Sequence, residues 1–275
     1  MSLKNIDPKH YDAFRKLLEE YSGIVLGANK QYLVTSRLSK LMSEREYANL
    51  GELVEKLKAA GSTELRGRVI DLMTTNETQW FRDDYPFSVL LSVVYPGFVE
   101  EKKQHVKIWS SACSTGQEPY SIAMALHEHQ KSSSARLAAN IIGTDISPTV
   151  IEQAKSGVYQ LSEIDRGLTP ERKRDYFIEL PDGIWKLKTD ISRNVSFRNF
   201  NLLDSYKGLG RFDLIFCRNV LIYFSTEVRN QIIGGMTEIL NDGGYLVLGA
   251  SESLGAHSSA YDLVRFKSGV VYKKK

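Results

Sequence analysis

The chain has 275 residues, 42% of them hydrophobic and 25% charged, with a formal net charge of +3. That is enough to bury a sizeable core in one large domain or two. So small a charge excess, all of it within residues 1–70, gives no basis for a nucleic-acid or other polyanion partner. No apolar run approaches the roughly 20 residues that span a bilayer, so no direct membrane insertion is expected. Cys113 and Cys217 are few and far apart, and the start of the chain has no secretory pattern. They are expected to be reduced thiols in a cytoplasmic protein.

Residues 5–70 show helical stripes and no strand alternation. Tyr11, Phe14, Leu17 and Leu18 make one stripe, Val34, Leu38, Leu41 and Met42 a second, and Leu50, Leu53, Val54 and Leu57 a third, punctuated by Gly23, Gly27 and Gly61. Three or four helices in a small all-helical domain, 1–72, follow from this. A linker and a connecting helix over 87–101 complete residues 73–101. From 102 to 275 the grammar changes to strands at 106–110, 140–143 (ending at Asp145), 212–217 and 245–248. Helices at 120–130 and 226–240 lie between them, another starts at Ser147–Pro148, and a turn falls at 241–244. Strands alternating with helices predict a parallel α/β sheet. Residues 264–266 and 270–274 around 268–269 read as a β-hairpin that adds antiparallel edge strands. Between a helix ending near Tyr159 and a strand at 195–198 lies a stretch too long for an ordinary loop. A helix over 170–176 and strands at 177–180 and 184–187, flanking Pro181-Asp182-Gly183, make it a helix-and-hairpin insertion at about 160–194.

Four segments carry chemistry. The first is the strand–helix junction Trp109-Ser-Ser-Ala-Cys-Ser-Thr-Gly-Gln-Glu-Pro119, whose small residues either bring backbone N–H groups up to a ligand or merely make a tight turn. In the second, Asp145 at a strand end suits a pair of ribose hydroxyls. The interval from Gly116 exceeds the roughly 20 residues of dinucleotide folds, an excess the polar stretch 131–140 absorbs. Capping the next helix is the alternative role, but Ser147 already fills it. The third is Phe212-Asp-Leu-Ile-Phe-Cys-Arg-Asn-Val-Leu-Ile-Tyr-Phe224, which delivers Arg218 and Asn219 to the same rim. Arg218 is there either a salt-bridged structural cation or a carboxylate ligand, and Asn219 reads an adenine edge or holds a backbone. The fourth is Met73-Thr-Thr-Asn-Glu-Thr-Gln-Trp-Phe-Arg-Asp83, rich in hydroxyl, amide and Arg side chains. It is either a ligand segment or a helix cap with aromatic anchors, Trp80 and Phe81, between the two domains. His10, His105, His127, His129 and His257 show no ligand grouping, so no metal is expected.

Thr74-Thr-Asn-Glu-Thr with Phe81-Arg82, and Ser114-Thr-Gly-Gln-Glu-Pro-Tyr-Ser121, resemble the chemotaxis receptor glutamate methyltransferases, the CheR family. So do Asp145-Ile, Ala154-x-Ser-Gly-x-Tyr159, Phe212-Asp-x-Ile-Phe-Cys-Arg-Asn-Val220 with Ile222-Tyr-Phe224, and Gly249-x-Ser-Glu-Ser253. The resemblance runs in order along nearly the whole chain. It implies a class I (Rossmann-like) S-adenosylmethionine methyltransferase domain with a small antiparallel β insertion, preceded by an all-helical substrate-recognition domain. It also implies a cofactor site at Asn76, Thr78, Arg82, Glu118, Asp145, Asn201, Leu202, Arg218 and Asn219. Asp145 would hold the ribose, Glu118 the methionine ammonium, and Asn201-Leu202 the adenine. Arg82 and Tyr223 match the family residues nearest the transferred methyl, and so are the candidate catalytic pair.

The expected reaction is methyl esterification of glutamate side chains on the cytoplasmic helical region of methyl-accepting receptors, with S-adenosylhomocysteine as product. A glutamate carboxylate is ionised at pH 7, so no general base is required, and catalysis is mostly positioning and desolvation. Arg37 and Lys40, at i and i+3, are the candidate receptor-binding residues of a basic helix face. The turn Pro181-Asp182-Gly183 lacks the glycine-rich loop by which some members grip a receptor's carboxyl-terminal pentapeptide, so no such tether is expected. The chain is expected to act as a monomer. A methyltransferase for another carboxyl acceptor and a non-enzymatic receptor-binding module are the competing readings. A dehydrogenase is disfavoured by the missing G-x-G-x-x-G.

Overall fold

Helix α1 (Pro8–Ser22) begins where the sequence supplies a complete start signal: the Asp7 side chain accepts from Lys9 N–H, and Pro8 occupies the first turn. It ends at Gly23, whose left-handed backbone (φ 75°) lets its N–H reach Glu19 O. The structure, a computed structural model, describes residues 6–133, 137–266 and 269–275. The chain groups into two units, Met1–Thr75 with Tyr223–Arg229, and Asn76–Ile222 with Asn230–Lys275.

In the first unit α1 is followed by α2 (Gln31–Glu44), α3 (Leu50–Lys58) and α4 (Thr63–Met73). The three predicted stripes supply its core, with Phe14, Val34, Leu38 and Leu53 fully buried. Helix α3 starts on a reciprocal cap: Asn49 accepts from Glu52 N–H, and the Glu52 carboxylate accepts from Ala48 N–H. The segment at 223–229 is tied in through Val25 N–H, which donates to Tyr223 O at 2.8 Å.

The second unit opens with α5 (Tyr85–Val89), a π-helical turn (Leu90–Val94) and α6 (Tyr95–Glu100), where the periodicity predicted one helix over 87–101. Pro96 has no N–H to give and its ring crowds the preceding turn, so the helix widens before it. Then come β1 (His105–Ser111), α7 (Gln117–Ser132), β2 (Ala138–Asp145) and α8 (Pro148–Ser156). Ser147 caps α8 by accepting from Val150 N–H. The insertion consists of β3 (Val158–Gln160), α9 (Leu161–Ile164), α10 (Pro170–Tyr176), β4 (Phe177–Glu179), β5 (Ile184–Leu187) and α11 (Thr189–Ser192). Finally β6 (Val195–Asn199), β7 (Phe212–Cys217), α12 (Thr226–Ile239), β8 (Leu240–Leu248), β9 (Tyr261–Phe266) and β10 (Gly269–Lys274) complete the chain.

The main sheet has the order β6-β2-β1-β7-β8-β10-β9. The first five are parallel, and β10 and β9 add antiparallel pairing. All six residues of β7 are buried, as a central strand covered on both faces requires. A three-stranded antiparallel sheet, β3-β5-β4, forms the insertion.

Three local expectations change. The helix expected to reach Tyr159 stops at Ser156, because Gly157 turns left-handed (φ 60°), and Val158–Gln160 becomes a strand against β5. Tyr159 is then buried edge-to-face against Trp80. The turn expected at 241–244 is instead part of β8. An irregularity in the β7–β8 register after Phe212 takes up the bend there. A side chain at Gly244 would lie 2.8 Å from Asn241 O and 3.0 Å from Asp213 O, so only glycine fits this close approach. Trp80 and Phe81, one reading of which had them between the two domains, belong to the core of the α/β unit. The β9–β10 hairpin pairs Phe266 with Gly269 as expected; Ser268, part of its expected turn, lies outside the described residues. So do 134–136 of the stretch 131–140.

Candidate active site

Strand order makes the site. The chain runs outward through β1, β2 and β6, then crosses back to place β7 on the other side of β1. The crevice of such a sheet lies at the carboxyl ends of the strands, at this switch point. There β1 ends at Ser111 and β7 at Cys217, directly paired.

The loop after β1 turns back sharply, with left-handed backbone at Ala112 (φ 55°), Ser114 (φ 50°) and Gly116 (φ 93°). Its course is held from β2: Cys113 N–H donates to Thr144 O at 2.8 Å, and Ser114 N–H to Asp145 Oδ2 at 2.9 Å. Asp145 also accepts from Ser147 N–H through Oδ1 at 3.0 Å and is 6% exposed. Its carboxylate therefore orients both βα loops, and helix capping is left to Ser147. The Ser114 hydroxyl donates to Asn76 O at 2.8 Å, which holds the start of the 76–83 segment on this loop. Thr78 lies half-buried in the same segment.

Arg218 resolves the choice between structural cation and ligand largely toward the first. Its side chain is 1% exposed. Nη1 donates to Glu118 Oε2 at 2.9 Å, and Nη2 to Asp83 Oδ2 at 2.7 Å and to Arg82 O at 2.9 Å. Glu118, in the first turn of α7, also accepts from the Ser110 hydroxyl at 2.7 Å. Burial pushes its carboxyl above the usual value, outweighing the opposing pull of Arg218 and Ser110. The loop at 81–84 is thus locked from behind, and it is strained: Phe81, Asp83 and Asp84 all have positive φ, at 48°, 68° and 48°. Strain of this kind persists only where the surroundings over-determine it. Here Ser121 accepts from Phe81 N–H, and the Arg172 guanidinium stacks 3.5 Å above the Phe81 ring while gripping Glu128 in a two-pronged pair.

At the end of β6, Asn199 donates to Asp145 O and Ile146 O, and beyond it Asn201 Oδ1 accepts from Leu203 N–H. Leu202 is nearly buried, its carbonyl held by the Tyr206 hydroxyl. Asn219 turns left-handed (φ 57°) directly after Arg218. Hydrogen bonds therefore join Asn76 to Asp145 through Ser114, and Arg82 to Glu118 through Arg218. Tyr223, Arg37 and Lys40 belong to the helical unit. There Arg37 donates to Met73 O and Thr74 O, the open carbonyls at the end of α4, and to the Thr75 hydroxyl. Lys40 is exposed and sits 3.8 Å from Glu44.

Ser110, Asp83 and Glu252 lie in the quoted segments, but sequence reasoning gave them no role. The signal for Asp83 was its place beside Arg82 in the polar linker. For Glu252 it was an acid just past the end of a buried strand.

The residues present fit S-adenosylmethionine. An acid, Asp145, ends β2, and a mostly buried carboxylate, Glu118, stands at the switch point. A nearly buried leucine, Leu202, follows β6 and offers an apolar surface. Arg218 Nε is buried with no hydrogen-bond partner among the described residues, as expected where a bound ligand supplies the acceptor. Fold and rim together define a Rossmann-like methyltransferase.

The family model described as "CheR methyltransferase, SAM binding domain" matches residues 76–270, and "CheR methyltransferase, all-alpha domain" matches 9–74. The chain is 48% identical to "Chemotaxis protein methyltransferase Cher2" of Pseudomonas putida and 47% identical to "Chemotaxis protein methyltransferase" of Vibrio parahaemolyticus, covering 100% of each pair. At 33% identity it covers 90% of the Borreliella burgdorferi "Chemotaxis protein methyltransferase", using 91% of its own length. The chain belongs to the CheR family: an S-adenosylmethionine-dependent methyltransferase of chemotaxis. No helix among the described residues is long and apolar enough to cross a membrane.

Proposed function

We propose that this chain esterifies glutamate side chains on the cytoplasmic helical region of chemotaxis receptors, acting as a cytoplasmic monomer. The observation that carries this reading is the contrast between two arginines. The charge of Arg218 is matched by Glu118 and Asp83. Among the described residues Arg82 forms no ion pair, and its Nη1 donates to a neutral carbonyl, Glu77 O, at 3.1 Å. Its backbone is nevertheless clamped by Arg218. Arg82 is thus a pre-positioned cation with charge available for an acidic acceptor.

Bound S-adenosylmethionine supplies a sulfonium methyl group, which passes to a carboxylate oxygen and leaves S-adenosylhomocysteine. Glu118, Asp145, Asn76, Thr78, Arg82, Asn201, Leu202 and Asn219 would hold the cofactor, with Arg218 fixing Glu118 and offering the cofactor its unpartnered Nε. Arg82 orients the acceptor carboxylate and Tyr223 hydrogen-bonds it. An ionised glutamate needs no proton removed, so the chain's task is orientation and exclusion of water. On the helical unit, Lys40 gives α2 an exposed positive charge for an acidic receptor helix. Arg37 acts there mainly as the cap of α4. Docking proceeds without a pentapeptide tether, since β4 and β5 are joined only by Leu180 and the short turn Pro181–Gly183.

The test is transfer of labelled methyl to a receptor cytoplasmic fragment, with release of methanol on mild alkali as the mark of an ester. Arg82→Met should lower kcat by about two orders of magnitude, as expected when a positioning charge is lost, with a much smaller change in S-adenosylhomocysteine affinity. Base-stable label, or transfer to small carboxylic acids but not to receptor, would sink the proposal.

A further inference from the structure

The Glu252 carboxylate is the hub of the rim beyond β7. Oε2 accepts from Asn219 N–H at 2.9 Å and Gly249 N–H at 2.7 Å; Oε1 accepts from Val220 N–H at 2.9 Å and Leu221 N–H at 2.8 Å. Four backbone donors from two chain segments thus converge on one side chain. The left-handed turn at Asn219 points three successive N–H groups the same way, the arrangement that makes an anion-binding nest. A side chain at Gly249 would lie 2.6 Å from Glu252 Oε2 and 3.0 Å from Asn219 N, so the approach is closed to any larger residue. Glu252 N–H in turn donates to Gly249 O, fixing the short turn that brings the acid back over β8.

We infer that Glu252 is a positioning residue for the cofactor: it occupies an internal anion nest and so sets where Arg218 and Asn219 stand at the switch point. The inference rests on the proposal that Arg218 and Asn219 line the cofactor site. Among the described residues, Glu252 is the one group that accepts from all four donors. The three N–H groups after Arg218 follow a strand end, where no ladder partner continues, and the carboxylate replaces that ladder. Glutamine has the same shape but only one acceptor oxygen, and its amide N–H₂ would face donors. Aspartate is a methylene shorter.

Glu252→Gln is therefore expected to weaken S-adenosylhomocysteine binding by about tenfold, the effect of misdirecting one or two hydrogen-bonded groups, measured by calorimetry on folded protein. In Glu252→Ala the nest is left open to a small carboxylate. Added formate should restore affinity severalfold in this variant and leave the parent unchanged, a rescue that a merely stabilising residue would not show. Amide exchange at Val220 and Leu221 should speed up in Glu252→Gln, which reads the nest directly even if Glu252→Ala folds poorly. Asp145→Ala serves as the reference. Loss of affinity there with none in Glu252→Gln, or no rescue by formate, overturns the role of Glu252 alone. Unchanged affinity in both overturns the assignment of the rim as the cofactor site, and the inference with it.

Discussion

Replacing Arg218 by methionine removes a cation whose side chain is 1% exposed and leaves Glu118, itself 14% exposed, without its counter-ion. Breaking a buried pair from one side costs about 3–5 kcal/mol, mostly for the charge left behind. Asp83, the other partner, is 38% exposed and rehydrates, so the low end, about 3 kcal/mol, is expected. For a unit of this size each kcal/mol moves Tm by about 2–4 °C, so Arg218→Met should melt roughly 10 °C lower. The diagnostic is the double variant. Adding Glu118→Gln removes the stranded charge and should recover at least about 1 kcal/mol, a coupling within the range for contacting residues. Urea unfolding of the four proteins in this cycle reads all the terms. A loss below about 1 kcal/mol in Arg218→Met, or simple additivity of the two changes, would refute the claim that a buried charge network holds the rim.

Arg172→Met should keep part of the apolar contact with Phe81 but lose the stacked cation and the pair to Glu128. A several-fold drop in kcat with little change in cofactor affinity is expected, since Phe81 carries the strained turn leading into Arg82; steady-state kinetics on receptor fragment checks it. Asp213 gives a signed pH dependence. Burial would raise its carboxyl, but bonds from Lys107 N–H, Lys103 and Asn241 outweigh it and hold it below the ordinary value. Its stabilisation is fully present above the unfolded carboxyl value of about 3.9 and is lost as pH falls through the depressed folded value. Asp213→Asn should flatten the acid side of the stability profile in urea melts at stepped pH. Lys40→Glu should slow receptor methylation, most at low salt, with unchanged cofactor affinity and unchanged Tm. The same reversal at Arg37 should also lower Tm, because it uncaps α4.

Much of this protein is local in origin. The stripes through Phe14, Leu38 and Leu53 make amphipathic helices whatever surrounds them, and the apolar run Leu214–Cys217 of β7, interrupted only by Asp213 near its start, suits a strand covered on both faces. Ser147-Pro148 and Asp7-Pro8 mark their helix starts by chemistry acting within a few residues. The strand-end positions of Asp145, Arg218 and Asn219 were likewise legible, while the full candidate cofactor set came from the resemblance to the CheR family. What only the tertiary structure decided depends on partners far apart in the chain. Arg218 could be read as ligand or structural cation until Glu118 and Asp83 were found on its guanidinium. Arg37 read as a surface charge until the end of α4 met it. Gly244 read as a turn, yet the approach of Asp213 O makes it part of a strand. Glu252 could be seen only as an acid past a strand end, since the four N–H groups it accepts from lie on two segments that sheet pairing brings together. A periodic pattern fixes which face of an element is buried, but the partners of a buried charge follow from how the elements assemble.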